Sequence, residues 1–241
     1  MRTSRRIGLA RVISKRGWCS RSAAEKMIRE GRVAVRGRII LDPETPTLES
    51  ETQIRLDDLS PQAPRRRYLM LNKPRGLVTT AKDEHARDTV YQCFDGAELG
   101  WIAPVGRLDK ASEGLLLFSN DPAWAASITS PDSGPTKTYH VQVVGIPNPA
   151  VLDRMKEGVD GEGERLSVSQ ARLLRSGERN AWLEIELDEG RNRQIRRILS
   201  ALDIEVLRLV RVAIGPLALG DLAKGAWRDL TEAETAALRG E

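Results

Sequence analysis

The 241-residue sequence predicts an α+β fold in two parts, and three observations carry that expectation. Short alternating apolar segments outnumber helical ones in the body of the chain, a cationic helix-helix-hairpin pattern fills its start, and a proline- and arginine-rich connection joins the two. Residues 5–60 are expected to form a small basic domain, 61–67 a linker, and 68–241 the main domain.

Composition bounds the possible classes. A hydrophobic content of 40% and a charged content of 30% describe a globular protein. No apolar run approaches the roughly 20 residues that cross a bilayer. The first apolar stretch is interrupted by Arg11 and Lys15, which denies it the core of a signal peptide, so a cytoplasmic protein with no membrane partner is expected. Cys19, Cys93, His85 and His140 make no metal-ligand spacing, and reduced thiols without a metal are the expectation.

Charge is distributed unevenly. Residues 1–67 hold 16 Lys and Arg against 8 Asp and Glu, leaving −4 for the remainder of a chain whose net charge is +4. A basic head on a mildly acidic body points to a polyanion as the partner of the head.

Within the head, Ile7, Leu9, Ala10, Val12 and Ile13 fall mostly at helical spacing and predict a helix over 4–16, with Arg5, Arg6, Arg11, Lys15 and Arg16 interleaved. Gly17 ends it. Ser20 or Ser22 can cap a second helix that carries Arg21 and Arg29, with Glu25 suited to its first turn, and Gly31 stops it. Val33, Val35, Ile39, Ile40 and Leu41 alternate with Arg32, Arg36 and Arg38 around Gly37, as in a tight hairpin with basic residues facing solvent. Helix, helix and hairpin together resemble the S4 RNA-binding module, through the basic periodicity, Cys19-Ser20-Arg21-Ser22 and Gly31-Arg32-Val33-Ala34-Val35. The ten arginines and lysines named here are the candidate RNA-binding residues. With Trp18 as its one aromatic, the head suits shape and phosphate reading better than base stacking. A cationic hairpin that docks onto another protein is the competing reading.

In the body, Tyr68–Leu71 reads as a strand, followed by a turn through Asn72-Lys73-Pro74-Arg75-Gly76, where Lys73 is placed to hold a phosphate near a cleft. A short helix is expected near Val90–Phe94, another over 121–128, a strand over 137–144, a helix over 151–157 and a strand over 181–187. Ile195, Ile198, Leu199 and Leu202 share one face of a helix that follows Arg191. A strand over 206–214, a Gly215-Pro216 turn and a small helix over 231–238 close the chain.

The chemistry centres on Val105–Asn120, where a charged turn runs directly into Leu115-Leu116-Leu117-Phe118 and leaves Asp109 at the rim of a core. Judged by spacing alone, Asp109 reads as a turn former or helix cap. No Walker-type phosphate loop or Gly-x-Gly-x-x-Gly follows a strand, and two scattered histidines leave little for a nucleophilic triad.

Three segments in order outweigh that local reading: Gly106-Arg107-Leu108-Asp109 with Ser112-Glu113-Gly114-Leu115-Leu116-Leu117, then Lys137-Thr138-Tyr139, then Asn192-Arg193-Gln194-Ile195-Arg196-Arg197. Together with the S4-like head they resemble the RNA pseudouridine synthases, in the branch that includes the ribosomal small-subunit uridine synthase and its large-subunit relatives. The resemblance covers nearly the whole chain and implies a catalytic domain on a mixed, mainly antiparallel β-sheet with flanking helices. It implies that Asp109 is the catalytic carboxylate, Tyr139 packs on the target base and Arg196 pairs with Asp109. Arg107 would hold the flipped nucleotide or the gap it leaves, Leu209 would meet the other face of the base, and Lys73, Lys137 and Arg193 are further candidate substrate contacts. The implied substrate is a uridine in ribosomal RNA, in the large subunit rather than the small, either free or in a ribosome-assembly intermediate. The expected protein is a monomer needing no cofactor.

Two stretches depart from the family wording: Ser119-Asn120-Asp121-Pro122 and Ser130-Pro131-Asp132 stand where Thr-Asn-Asp-Gly and a His-Pro pair are usual. Arg193 occupies a position where relatives often carry His. The alternative is a ribosome-assembly factor with an S4 module that binds RNA without catalysis. A methyltransferase would need a cofactor loop that the sequence lacks.

Overall fold

The computed structural model describes residues 5–57, 64–80 and 87–240. Its contacts divide the chain into two compact units. The first runs to Tyr68 and takes in Glu98–Ala103 and Phe118–Ala125; the second holds Leu69–Ala97, Pro104–Leu117 and the residues from Ala126 onward.

The first unit begins with β1 (Arg6–Gly8), α1 (Leu9–Lys15), α2 (Arg21–Arg29), β2 (Val33–Val35), β3 (Arg38–Ile39), β4 (Pro46–Leu48) and β5 (Ile54–Leu56). The expected first helix is shorter than its periodicity suggests. Residues 6–8 pair with β4, Ile7 opposite Thr47, and the first free N–H groups of α1, those of Leu9 and Ala10, donate to the carbonyls of Thr45 and Pro43. Partners some 40 residues away thus convert a helical-looking segment into strand, a tertiary effect that local spacing does not carry. Ser20 caps α2 by accepting from the Ala23 N–H, as expected. Glu25 lies beyond the first turn, where it pairs with Arg21 and Arg29 at i,i+4 spacing.

The hairpin turns on Arg36 (φ 51°) and Gly37 (φ 76°), both left-handed as a two-residue turn requires. Arginine is an unusual residue there, and the carboxylate of Glu51 holds its guanidinium at 2.8 Å. The hairpin pattern predicts that the apolar residues of 39–41 face inward, yet Ile39 and Leu41 are 66% and 62% exposed. The core forms instead from Leu9, Val12, Ile13, Ala24, Ile28, Val33 and Ile54. Much of the expected linker lies outside the described residues; of its remainder, Arg65 O and Arg67 N are bonded to the side chain of Asn120.

The rest of the chain supplies β6 (Tyr68–Lys73), a 3-10 turn (Val90–Phe94), β7 (Ala103–Val105), β8 (Glu113–Ser119), α3 (Pro122–Thr129), β9 (Lys137–Val144), α4 (Pro149–Glu157), β10 (Val159–Gly161) and β11 (Glu164–Leu166). It continues with β12 (Gln170–Ser176), β13 (Asn180–Leu187), α5 (Gln194–Ala201), β14 (Val206–Ile214), β15 (Leu217–Ala218), β16 (Trp227–Asp229) and α6 (Glu232–Ala237). The main sheet has the order β12-β13-β9-β14-β8-β6-β16, with β15 on β14 and β7 on β8. It is mixed: β8 runs parallel to β14, while β12/β13, β13/β9, β9/β14 and β16/β6 are antiparallel. One face packs Val141, Val143, Leu183, Ile185 and Leu209 against Leu152 and Met155 of α4 and Ile195, Ile198 and Leu199 of α5. Strand β8 is buried along its whole length, so the apolar run after Asp109 is core.

Gly114 determines how closely the two halves of the sheet approach. A Cβ placed there would lie 2.2 Å from the carbonyl oxygen of Arg211, and its φ is +100°. Trp227–Asp229 is a strand the sequence reading did not anticipate; its single alternation is too short to register.

At α6, Thr231 and Glu234 form a reciprocal capping box, and Arg228 donates to both carboxylate oxygens of Glu234. The Arg228 bond, foremost, holds the Glu234 carboxyl down at about 2, against desolvation. A depressed folded-state pKa gives stability that is complete above the ordinary value of 4.5 and is lost as pH falls through about 2. E234Q is therefore expected to lower the melting temperature at neutral pH and to flatten its decline between those two values. Thermal melts of the two proteins across that range check this.

Among the described residues no helix is long and apolar enough to cross a membrane, and no group of three or more His, Cys, Asp or Glu is placed to hold a metal.

Candidate active site

The second unit contains a cleft of about 440 Å³ lined by the loop between β7 and β8, the start of β9, the segment leading into α5, and the middle of β14. Asp109, Arg107, Tyr139, Lys137, Arg193, Arg196 and Leu209 all line it. Three sequence segments that are far apart in the chain therefore meet at one place.

The Asp109 loop is held by its backbone. Ser112 N–H donates to Asp109 O at 3.0 Å and Gly76 N–H to Lys110 O at 2.8 Å. The Thr79 hydroxyl donates to Leu108 O at 2.7 Å and accepts from Leu108 N–H. The carbonyls of Pro74, Asp109 and Ser112 accept from the ammonium of Lys73 at 2.8–3.2 Å. The Asp109 side chain itself stays 37% exposed. An immobilised backbone with a reachable carboxylate is what a nucleophile or base requires.

Lys73 does not line the cleft, contrary to the expectation of a phosphate contact. It is fully buried, and burial, partly offset by Asp109, lowers its pKa to about 8. A lysine in a cationic turn looks solvent-facing in sequence; here its stem runs into the core and its charge serves loop carbonyls.

The arginine pairing also differs from expectation. The ion pair of Asp109 is with Arg193, whose Nη1 stands 3.8 Å from Oδ2, and Arg196 instead donates from Nη2 to Ala111 O at 3.2 Å. Arg193 is the N-cap of α5 and adopts a left-handed φ of 50°, while Arg196 lies within the first turn of the helix. Burial, and then Arg193, lowers the pKa of Arg196, with Asp109 acting against both. Arg196 thus contributes to the potential at the acid without touching it.

Gln194 holds the approach to α5. It is buried, accepts from Arg191 N–H and donates to Ser167 O and Glu189. Glu164 receives both Arg191 and Arg197. Neither residue was singled out in the sequence, where polar residues within a basic run look solvated. Arg211 was also missed. It is 5% exposed, lines the cleft and lies opposite Tyr139 in the β9/β14 register. Its spacing of two from Leu209 on the same strand is the signal that could have found it.

In the first unit, the ten candidate RNA-binding residues divide by partner. Lys15 pairs with Glu49, Arg21 with Glu25 and Glu44, Arg29 with Glu25, Arg32 with Asp57 and Glu30, and Arg36 with Glu51. Arg16 donates to the carbonyls of Glu49 and Glu51, and Arg5 lies in the field of Glu49. Among the described residues Arg6, Arg11 and Arg38 make no ion pair, and all three are exposed.

A carboxylate, a tyrosine and several arginines around one cleft of a mixed sheet, in a chain with a basic helical head, define an acid-base or nucleophilic enzyme acting on a polyanion. Comparison with known proteins makes this specific. Residues 67–201 match the family model for RNA pseudouridylate synthases and residues 7–51 that for the S4 domain. Over 224 residues the chain is 36% identical to an RNA pseudouridine synthase of Rickettsia bellii, covering 93% of this chain and 96% of that one. Over 233 residues it is 34% identical to the ribosomal large subunit pseudouridine synthase B of Bacillus subtilis, covering 96% and 95%. A crystal structure of a pseudouridylate synthase superposes with a TM-score of 0.68 at 32% identity, covering 96% of this chain and 99% of that one. The chain belongs to the RNA pseudouridylate synthase family, and its head is an S4 domain.

Proposed function

We propose that this enzyme converts one uridine of ribosomal RNA, in the large subunit, to pseudouridine in the cytoplasm, with Asp109 as the essential carboxylate. The observation that carries the reading is the Asp109 loop: its backbone is fixed by Lys73 and Thr79 while the carboxylate opens into the cleft shared with Tyr139 and Leu209. Similarity to the large-subunit enzyme of Bacillus subtilis over nearly the full length of both chains supports the choice of substrate.

The reaction detaches uracil from C1′ at N1, turns it and rejoins it through C5. Atoms are conserved, so neither redox partner nor group donor is required. Asp109 acts either by attack on the sugar or by removal of a sugar proton, and both routes use the ionised acid. Tyr139 stacks on the base and retains it while it is detached, and Leu209 closes the opposite face. Arg193 supports the carboxylate; Arg196 anchors the loop through Ala111; Arg107 faces the RNA backbone.

Rejoining at C5 expels the hydrogen there, so the test is release of tritium from ribosomal RNA labelled at uridine C5. Release in proportion to pseudouridine formed supports the proposal. Pseudouridine-free RNA after prolonged incubation with native precursor particles and with naked RNA would contradict it.

The head binds RNA through its unpaired cations first. Replacing Arg6, Arg11 and Arg38 together by Ala is expected to weaken binding and to reduce the slope of log affinity against log salt by roughly 2 to 3. Replacing the ion-paired Arg32 and Arg36 is expected to change that slope less. Filter binding across a salt series measures both.

A further inference from the structure

We propose that Arg211 and Lys137 form a two-cation floor in the cleft that binds the two carbonyl oxygens of the target uracil and stabilises the base while it is detached. The proposal rests on the isomerase reading above and adds to it the residues that hold the base by its edge.

Arg211 is a guanidinium taken out of water with too few acceptors. Its Nε donates to Leu115 O at 2.7 Å, but its Nη2 is buried and has no hydrogen-bond partner among the described residues. Such groups are rare in folded proteins because each unmet donor carries a desolvation penalty. Nor does any described carboxylate form an ion pair with Arg211 or with Lys137, whose ammonium has only Asp188 O, at 3.5 Å. Burial, and then the charge of Arg211, lowers the pKa of Lys137, so the two cations share one low-dielectric environment.

Position indicates the ligand. Arg211 lies directly across from Tyr139 in the β9/β14 ladder, and Lys137 lies two residues before Tyr139 on the same face of β9. All three line the cleft with Asp109. Exposed Arg107 and Arg193 are available to phosphates, whereas a residue as buried as Arg211 is reached only by what enters the cleft, which is the base. The close approach allowed by Gly114 seats the backbone of Arg211 against β8, so its placement is built into the sheet.

The chemistry suits two donors. As C1′–N1 breaks, its electron pair stays with the base, and the resulting negative charge spreads onto O2 and O4. A half-turn about the line through N3 and C6 exchanges N1 with C5 and also exchanges O2 with O4. Two donors placed for two oxygens are therefore satisfied before and after rotation alike. C1′–C5 then forms, C5 loses its proton and N1 gains one, so the composition is unchanged. Donors aimed where charge develops act on the rate far more than on ground-state affinity.

The test uses the full chain, excess over RNA, and a target site carrying uridine, 2-thiouridine or 4-thiouridine, since a thiocarbonyl is a poor hydrogen-bond acceptor. R211M and K137M are each expected to slow single-turnover conversion about 100-fold with RNA affinity changed less than about twofold, and R211K to recover part of the loss. The rate penalty of thio substitution seen with the unaltered protein should largely disappear in R211M or K137M, because the donor it disrupts is already gone. A merely structural role would leave that penalty intact, and an equal penalty in all proteins overturns the proposal. K137M, which removes only a 3.5 Å contact, carries the comparison should R211M fail to fold. If the unaltered protein converts no uridine, the isomerase reading falls as well; if it converts uridine and the penalties are equal, only the two-cation floor falls.

Discussion

D109N is expected to reduce pseudouridine formation by at least about 10⁴-fold, the scale seen when an essential reacting group is removed, with RNA affinity changed less than about twofold. The loop is fixed through main-chain bonds to Lys73, Thr79, Gly76 and Ser112, none of which involves the Asp109 carboxylate, so the substitution leaves the loop in place. What is lost is the charge, which either route to base detachment requires. Arg193, at 3.8 Å, loses its counter-charge, and a freer arginine in the cleft would strengthen RNA binding slightly if it changed it at all. Tritium release and filter binding on the same preparation separate the two quantities. Turnover retained within tenfold would show that another group carries the chemistry.

G114A is the substitution expected to harm folding most, by about 3 kcal/mol or more. Its methyl group would lie 2.2 Å from Arg211 O and 2.9 Å from Arg211 N, both backbone atoms of the strand that pairs with β8. Neither strand can yield without moving the Asp109 loop on one side or Arg211 on the other. G145A separates the two sources of strain, since Gly145 also has a left-handed φ, +78°, but nothing lies within 4 Å of its Cβ position. Its cost is expected to be about 1 kcal/mol, the conformational penalty alone. Urea unfolding of both variants measures the difference, and equal losses would refute the steric argument.

The strands and helices of the body were largely legible because their periodicity is local. Val206–Ile214 is a mainly apolar run rich in valine, ended by Gly215-Pro216, and Ile195, Ile198 and Leu199 fall on one stripe, so β14 and α5 are readable from local sequence. What sequence spacing could not carry was partnership. Nothing near Arg6–Gly8 reveals that β4 will claim it, and nothing near Lys73 reveals the three carbonyls that draw its ammonium inward. The gathering of Asp109, Tyr139 and the α5 arginines was anticipated by resemblance, yet Arg193, at the left-handed N-cap of α5, and not Arg196 meets the acid, a matter of three-dimensional placement that spacing does not carry. Arg211 was hidden for a related reason: a charged residue in a mainly apolar strand reads as solvent-facing until the register places it opposite Tyr139.

The central claim is that this chain makes pseudouridine in large-subunit ribosomal RNA through Asp109. Pseudouridine mapping of both ribosomal RNAs from cells that carry the gene, lack it, or carry only its D109N form tests that claim most directly. The account predicts one large-subunit site that is modified in the first cells and unmodified in the other two. Modification that persists without the gene, or that D109N restores, would contradict it.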